Sequence, residues 1–98
     1  MRKETPYRAQ VIKRLKEMFP GCEILINDPS QRQGICDVIV LFEDKWGMLE
    51  FKRSKNAARR PNQEYYVNKF AQMSFAAFIY PEVEEEVLRD LQRAFDSR

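Results

Sequence analysis

The sequence contains no histidine, and this absence excludes several classes of enzyme. Without an imidazole the chain cannot form a Ser-His-Asp triad or a Cys-His nucleophile. It also cannot use a histidine general acid or base, and it cannot build a zinc site with mixed cysteine and histidine ligands. Any catalysis must therefore depend on carboxylates, lysine, tyrosine, cysteine or a metal ion held by oxygen ligands.

Cysteines and long apolar runs are also scarce. The two cysteines, Cys22 and Cys36, are too few for the disulfide framework of a small secreted domain and too far apart for a CxxC site. No stretch approaches the ~18 apolar residues of a membrane span, and the N-terminus does not resemble a secretory signal. We therefore expect a cytoplasmic protein with two buried thiols and no membrane partner.

Charge is present in both signs but is unevenly distributed. The chain has 98 residues, of which 44% are hydrophobic, and this length suits one domain over residues 1–98. The net charge is only +2, yet residues 52–60 hold five basic side chains and no acid, while residues 82–90 hold five acids and one arginine. This separation favours a positive face that binds a polyanion such as DNA.

The apolar periodicity predicts a small α/β domain of order αβββαβα, with a mixed sheet between helices. A short turn at residues 43–45 makes the second and third strands antiparallel. The second helix is expected to turn Val67, Phe70 and Met73 inward. The predicted elements are a helix from Thr5-Pro6 to Pro20-Gly21, strands at 23–26, 35–42 and 46–53, a helix at 61–74, a strand at 75–80 and a helix from Pro81.

Three charged residues interrupt the second and third predicted strands. Asp37 begins an otherwise apolar strand, and Glu50 and Lys52 share one face of the next strand because strand side chains alternate. A buried charge is costly unless it is paired or bound to a metal. The two carboxylates, with the backbone carbonyl of Phe51, suit Mg²⁺ or Mn²⁺, and Lys52 would offset charge on a phosphate. The alternative is an Asp37–Lys52 salt bridge with an exposed Glu50.

The length of the turn decides whether the two carboxylates can meet. Asp37 and Glu50 share a face only if the numbers of directly opposed residues sum to an odd value. A two-residue turn at Glu43-Asp44 or a four-residue turn at residues 42–45 satisfies this condition. A three-residue turn would place the carboxylates on opposite faces unless a bulge intervened.

The motifs at residues 34–40 (GICDVIV) and 49–54 (LEFKRS), with Gln63 at a helix start, resemble the PD-(D/E)xK nuclease superfamily. The resemblance covers roughly residues 4–80. It is closest to the small VRR-NUC and Holliday-junction-resolvase-like members, which include short phage proteins. Cys36 stands where the family has a proline, which supplies no chemistry.

This resemblance implies a restriction-endonuclease-like core and a set of site residues. Asp37 and Glu50 would be metal ligands, Lys52 the catalytic lysine and Gln63 the family's glutamine behind the site. Glu4 would match the acidic residue of the family's first helix. The implied cofactor is Mg²⁺ or Mn²⁺, with no small-molecule cofactor.

The expected function is a metal-dependent DNA endonuclease, selective for branched or junction DNA and acting as a homodimer. Exposed basic side chains would hold backbone phosphates without reading sequence. Of Tyr65 and Tyr66, one could stack on a base, although tyrosine in a helix core is the alternative. Two other functions stay open: a non-catalytic nucleic-acid-binding module on the same fold, and a protein-interaction module that uses the acidic last helix. The predicted phosphate-binding residues are Lys13, Arg53, Lys55, Arg59 and Arg60.

Overall fold

The computed structural model describes residues 6–27 and 34–96, and in these parts the chain follows the predicted order αβββαβα. Each helical segment starts at a proline, whose fixed φ suits the first helical position. The elements are α1 (Pro6–Met18), β1 (Glu23–Ile26), β2 (Val38–Phe42), β3 (Lys45–Phe51), α2 (Pro61–Met73), β4 (Phe75–Ile79), a 3-10 turn (Pro81–Val83) and α3 (Glu84–Asp96).

The four strands form one mixed sheet in the order β1-β2-β3-β4. β1, β2 and β3 pair antiparallel, whereas β4 pairs parallel to β3, which confirms the predicted mixed sheet. β2 and β3 are joined by the two-residue turn Glu43-Asp44, because Phe42 lies opposite Lys45. Glu43 adopts a φ of 57°, as tight hairpin turns require. The opposed residue numbers sum to 87, the odd parity that the turn was expected to give, and the last pair of the ladder is Val38 with Leu49.

β2 begins at Val38, three residues later than predicted. If the ladder continued beyond Val38, Cys36 would oppose Phe51. Instead, the backbone N–H of Phe51 donates to Oδ2 of Asp37 at 2.9 Å. The carbonyl of Cys36 accepts a hydrogen bond from the side-chain amide of Asn27 at 2.7 Å. The strand therefore ends where the Asp37 carboxylate replaces a backbone partner.

β3 spans Lys45–Phe51, so the predicted strand at 46–53 starts one residue late and ends two residues too far. Lys45 belongs to the strand because the turn is only two residues long. Lys52 lies just beyond the strand, although its backbone N–H still donates to the carbonyl of Ile79 at 2.9 Å. The side chain of Lys52 is thus placed at the open end of the sheet.

Two apolar layers enclose the sheet. α1 and α3 cover one face, and α2 covers the other face, mainly over β3 and β4. α3 contributes a buried stripe to the first layer, since Val87, Leu88, Leu91 and Phe95 are all buried. The larger cluster contains Val11, Leu15, Phe19, Val38, Val40, Leu49 and Ile79 with the α3 stripe, and the smaller one contains Cys36, Met48 and Val67.

The inward orientation predicted for Met73 is wrong, because its side chain is 62% exposed. A helix advances about 100° per residue, so each step of three residues drifts by about 60°. Val67 is buried, Phe70 is half-buried, and Met73 lies about 120° from Val67 around the helix. The three-residue spacing therefore carries the stripe off the sheet.

Helices α1 and α3 are also tied by an ion-pair cluster. Nη1 of Arg14 lies 2.6 Å from a carboxylate oxygen of Glu84 and 2.6 Å from one of Glu85. Burial, and then the nearby Glu84 carboxylate, raise the pKa of Tyr7, so this phenol stays protonated. None of the helices in the described parts of the chain combines the length and hydrophobicity that crossing a lipid bilayer requires.

Gly34 packs directly against the first turn of α2, and its substitution should be destabilising. Its φ is 86°, and a Cβ there would lie 2.7 Å from Cγ of Asn62. We expect Gly34→Ala to lower the free energy of unfolding by about 2–3 kcal/mol, since left-handed strain and overpacking both contribute. Urea denaturation measures this change.

Gly21→Ala is the matched control, because Gly21 has a φ of 90° but no atom within 4 Å of the added Cβ. Strain alone should cost it about 1–2 kcal/mol. Equal losses for the two variants would show that the contact with Asn62 contributes nothing.

Candidate active site

Three charged side chains are buried among the described residues, and all three lie at one end of the sheet. Arg8, Asp37 and Glu50 are each 4% exposed. Asp37 directly precedes β2, Glu50 is the penultimate residue of β3, and Arg8 lies in the first turn of α1. Burial of charged groups costs free energy that a structure recovers only through specific partners. Such concentrations of buried charge are typical of functional sites.

A glutamine amide joins two of the predicted site residues. Nε2 of Gln63 donates to Oε2 of Glu50 at 3.0 Å. Oε1 of the same amide accepts from Nζ of Lys52 at 2.6 Å. The predicted placement of Glu50 and Lys52 on one side of β3 is therefore confirmed, and Gln63 holds them in fixed relation.

Gln63 is itself fixed by the start of α2. It is the third residue of the helix, and its Oε1 accepts the backbone N–H of Arg60 at 3.1 Å, as in a capping box. Nζ of Lys52 also donates to the carbonyl of Ala58 at 2.9 Å. The basic loop before α2 thus folds back onto the lysine and limits its rotamers.

Asp37 is directed to the same strand end by its hydrogen bond to the Phe51 amide. In a strand the N–H and C=O of one residue point to the same side. Since the Phe51 N–H meets Asp37, the Phe51 carbonyl also points toward the β2 side. The Asp37 carboxylate and the Phe51 carbonyl therefore lie at the same end of β3, where Glu50 directly precedes Phe51 in the chain.

A cleft of about 420 Å³ opens at this end of the sheet. It brings Asp37 and Lys52 together with the first turn of α1. Glu50, two residues before Lys52, is buried rather than exposed, so the alternative of an exposed Glu50 is wrong. The lining residues are Pro6, Tyr7, Arg8, Asp37, Phe51, Lys52 and Arg53.

Arg8 is the member of this cleft that sequence reasoning missed. In the sequence it is one of six basic residues among residues 1–16, which hold a single acid. The signal was its spacing, because Arg8, Val11, Ile12 and Leu15 form one stripe of α1 and all four are buried. A single charge on an apolar helical stripe indicates a residue that points into a site or an ion pair.

The donor atoms fit a hard divalent cation. Carboxylate and carbonyl oxygens are the ligands that Mg²⁺ and Mn²⁺ prefer, and Mg²⁺ commonly needs only one or two carboxylates with water and phosphate. Within residues 6–27 and 34–96, no three acidic or thiol side chains converge as a metal-binding group. A metal here would therefore rely on Asp37, Glu50 and the Phe51 carbonyl. Glu4, the other predicted ligand, lies outside the described residues.

The thiol of Cys36 is buried beside the two carboxylates and is not a nucleophile. Burial, and then the negative charges of Glu50 and Asp37, raise the pKa of the Cys36 thiol to about 12. Both cysteines are free thiols. The prediction of buried thiols is confirmed for Cys36, whereas Cys22 is only half-buried.

The five predicted phosphate-binding side chains are all exposed. Arg53 lines the cleft, whereas Lys13 lies on α1 outside the lining residues. The guanidinium of Arg59 lies 4.1 Å from the ring centroid of Phe78, which holds this arginine over the sheet beside the site. Of the five, Arg53 and Arg59 are therefore the ones that the structure places beside the candidate site. No protein-family model, curated protein or solved structure matches the chain.

Proposed function

We propose that this protein is a Mg²⁺- or Mn²⁺-dependent DNA endonuclease built on a PD-(D/E)xK, restriction-endonuclease-like core. One observation carries the proposal: the buried Glu50 is linked through Gln63 to the half-buried Lys52, beside a cleft that Asp37 and Lys52 line. Glu50 and Lys52 are separated by one residue, which is the spacing of the (D/E)xK part of the motif.

The burial of two acids at one end of the sheet favours a catalytic role for them over a purely stabilising one. A domain of this size gains little stability from charges that it must desolvate, and apolar residues of similar volume are often more stabilising. Asp37 lines a cleft with a lysine and an arginine, and Glu50 is joined to that lysine through Gln63, so both acids are candidates for a reaction that needs them. The exposed basic loop supports the choice of a phosphate as the reacting group.

The reaction class is hydrolysis of a phosphodiester, in which water attacks phosphorus in line and the 3′ oxygen leaves. A bound divalent cation supplies Lewis acidity and offsets the charge that develops on the phosphate. Asp37, Glu50 and the Phe51 carbonyl would hold that cation. Lys52, whose ammonium is restrained by Gln63 and Ala58, would direct N–H groups toward the negative charge that develops on the phosphate. Arg53 and the basic loop orient the backbone.

We expect the substrate to be branched or junction DNA and the active assembly to be a homodimer. Contacts to backbone phosphates position DNA but do not read its sequence, so selectivity for branched or junction structure is the better expectation. One chain carries one such site, and cutting both strands would therefore need a homodimer. Two acids of α3, Glu84 and Glu85, bind Arg14 within the chain, which makes this helix a poorer docking surface for another protein.

The direct test is a cleavage assay on branched, duplex and single-stranded DNA with Mg²⁺, Mn²⁺ or EDTA. We expect cleavage that needs the metal and is lost in Asp37→Asn. Calorimetric titration with Mn²⁺ alone should show a binding site that the same variant loses. Asp44→Asn, the same change at an exposed acid of the same hairpin, is the matched control and should retain both activities.

Two outcomes would contradict the proposal. DNA binding without any metal-dependent cleavage would favour the non-catalytic binding module. Absence of DNA binding at physiological salt would favour a protein-interaction module.

A further inference from the structure

A chain of four aromatic rings runs along α2 to the hairpin. The rings of Tyr65 and Tyr66 meet edge to face with centroids 5.1 Å apart. Tyr66 stacks on Phe70 at 5.7 Å, and Phe70 meets Trp46 edge to face at 6.2 Å. Phe70 and Trp46 pack against the buried cluster beneath α2. The outermost ring, Tyr65, is therefore oriented by side chains anchored in the fold.

Tyr65 itself is held at the surface. Its side chain is 55% exposed, so the alternative that the tyrosines lie in the helix core is wrong for Tyr65. Nζ of Lys69 lies 5.6 Å from its ring centroid and 3.4 Å from its hydroxyl oxygen. A rigid, exposed ring with an ammonium group beside it combines a stacking surface with a contact for a phosphate.

Tyr65 and Lys69 lie near the most basic segment of the chain. α2 starts directly after residues 52–60, which hold five basic side chains and no acid. Arg60 caps the helix, and Tyr65 lies five residues further along, about 7.5 Å up the axis. A polyanion bound to the basic loop would thus reach the surface that Tyr65 presents.

We propose that Tyr65, with Lys69, stacks against an unpaired base, so that the substrate is DNA with a single-stranded segment beside duplex. Inside a duplex both faces of each base are covered by neighbouring bases, so away from the duplex ends a protein ring can stack only on a base that is unpaired or flipped out. This inference rests on the proposed function and narrows its substrate class. It needs no sequence preference, because every base has an aromatic face.

The test compares affinities in EDTA, so that binding is measured without cleavage. Fluorescence anisotropy gives the Kd for a plain duplex and for the same duplex with a single-stranded tail. Tyr65→Ala should weaken binding to the tailed DNA about ten-fold and leave duplex binding within about two-fold. Tyr65→Phe keeps the ring and should bind like the unsubstituted protein. Lys69→Gln should weaken binding to both DNAs and reduce the salt dependence.

The outcomes separate this inference from the nuclease proposal. Equal losses on both DNAs, or no loss on either, would overturn stacking even if the protein cleaves DNA. A ring-dependent preference for tailed DNA without metal-dependent cleavage would sustain stacking and overturn the nuclease. Light scattering provides a further check: a dimer that dissociates in Tyr65→Ala but not in Tyr65→Phe would show that a second copy covers the ring, and would also overturn stacking.

Discussion

Lys52→Ala is expected to lower the single-turnover rate of metal-dependent cleavage by about 10²–10³-fold. The ammonium of Lys52 is fixed by Gln63 and by the carbonyl of Ala58, so it needs little reorganisation to stabilise charge that develops on a phosphate. Such a fixed donor acts mainly on the transition state. DNA affinity in EDTA should change by less than about three-fold, because a single phosphate contact contributes little to total binding.

Lys55→Ala is the matched control for this effect. Lys55 is an exposed lysine three residues further along and belongs to the predicted phosphate-binding set. Its loss should weaken DNA binding without changing the rate at saturating protein. Cleavage at an undiminished rate by Lys52→Ala would remove this lysine from the mechanism, and with it the one ammonium among the described residues that line the cleft.

Arg8→Ala should lower the free energy of unfolding by about 3–5 kcal/mol, measured by urea denaturation in EDTA. Arg8 is the one buried cation of the described chain, and it lines the cleft beside Asp37, one of the two buried anions. Its removal would leave the buried carboxylates with less compensating charge. The double variant Arg8→Ala/Asp37→Asn should lose less than the sum of the single variants, since one uncompensated anion is also removed.

Arg14→Ala tests whether the burial of Arg8 is the cause of the large loss expected for Arg8→Ala. Arg14 lies on the same helix and binds two glutamates, but its side chain is 37% exposed. Exposed ion pairs contribute about 1 kcal/mol or less, so this variant should be much less destabilised. Similar losses for the two arginines would mean that Arg8 stabilises the protein by ordinary surface contacts.

The sequence predicted the order of the elements because apolar periodicity, prolines and the hairpin turn are local signals. β1 was predicted at its observed bounds, and the ends of α2 and β4 within one residue. The start of β2 was wrong because it depends on the Asp37 carboxylate displacing a backbone partner fourteen residues away. Such a contact has no local signature.

The candidate site was also only partly predictable. The acids and Lys52 stood out because they interrupt apolar strands, and Gln63 came from the resemblance; the structure joins Gln63 to Glu50 and Lys52. Arg8 was missed because a charge within a basic segment hides its position on a buried stripe. Met73 was misplaced, and the position of Tyr65 was left open, since the side of α2 that the sheet leaves uncovered is decided only when the helix docks on β3 and β4.

The two-residue hairpin between β2 and β3 also restricts how chains of this kind can vary in length. Its register keeps Leu49 in the layer under α1 and α3 and turns Glu50 toward Gln63. One inserted residue would exchange these two positions, burying a carboxylate in the apolar core, whereas two inserted residues would restore the alternation. Natural variants that keep the acid–lysine pair should therefore lengthen or shorten this hairpin in even steps, and an odd step should coincide with a bulge or with loss of the pair.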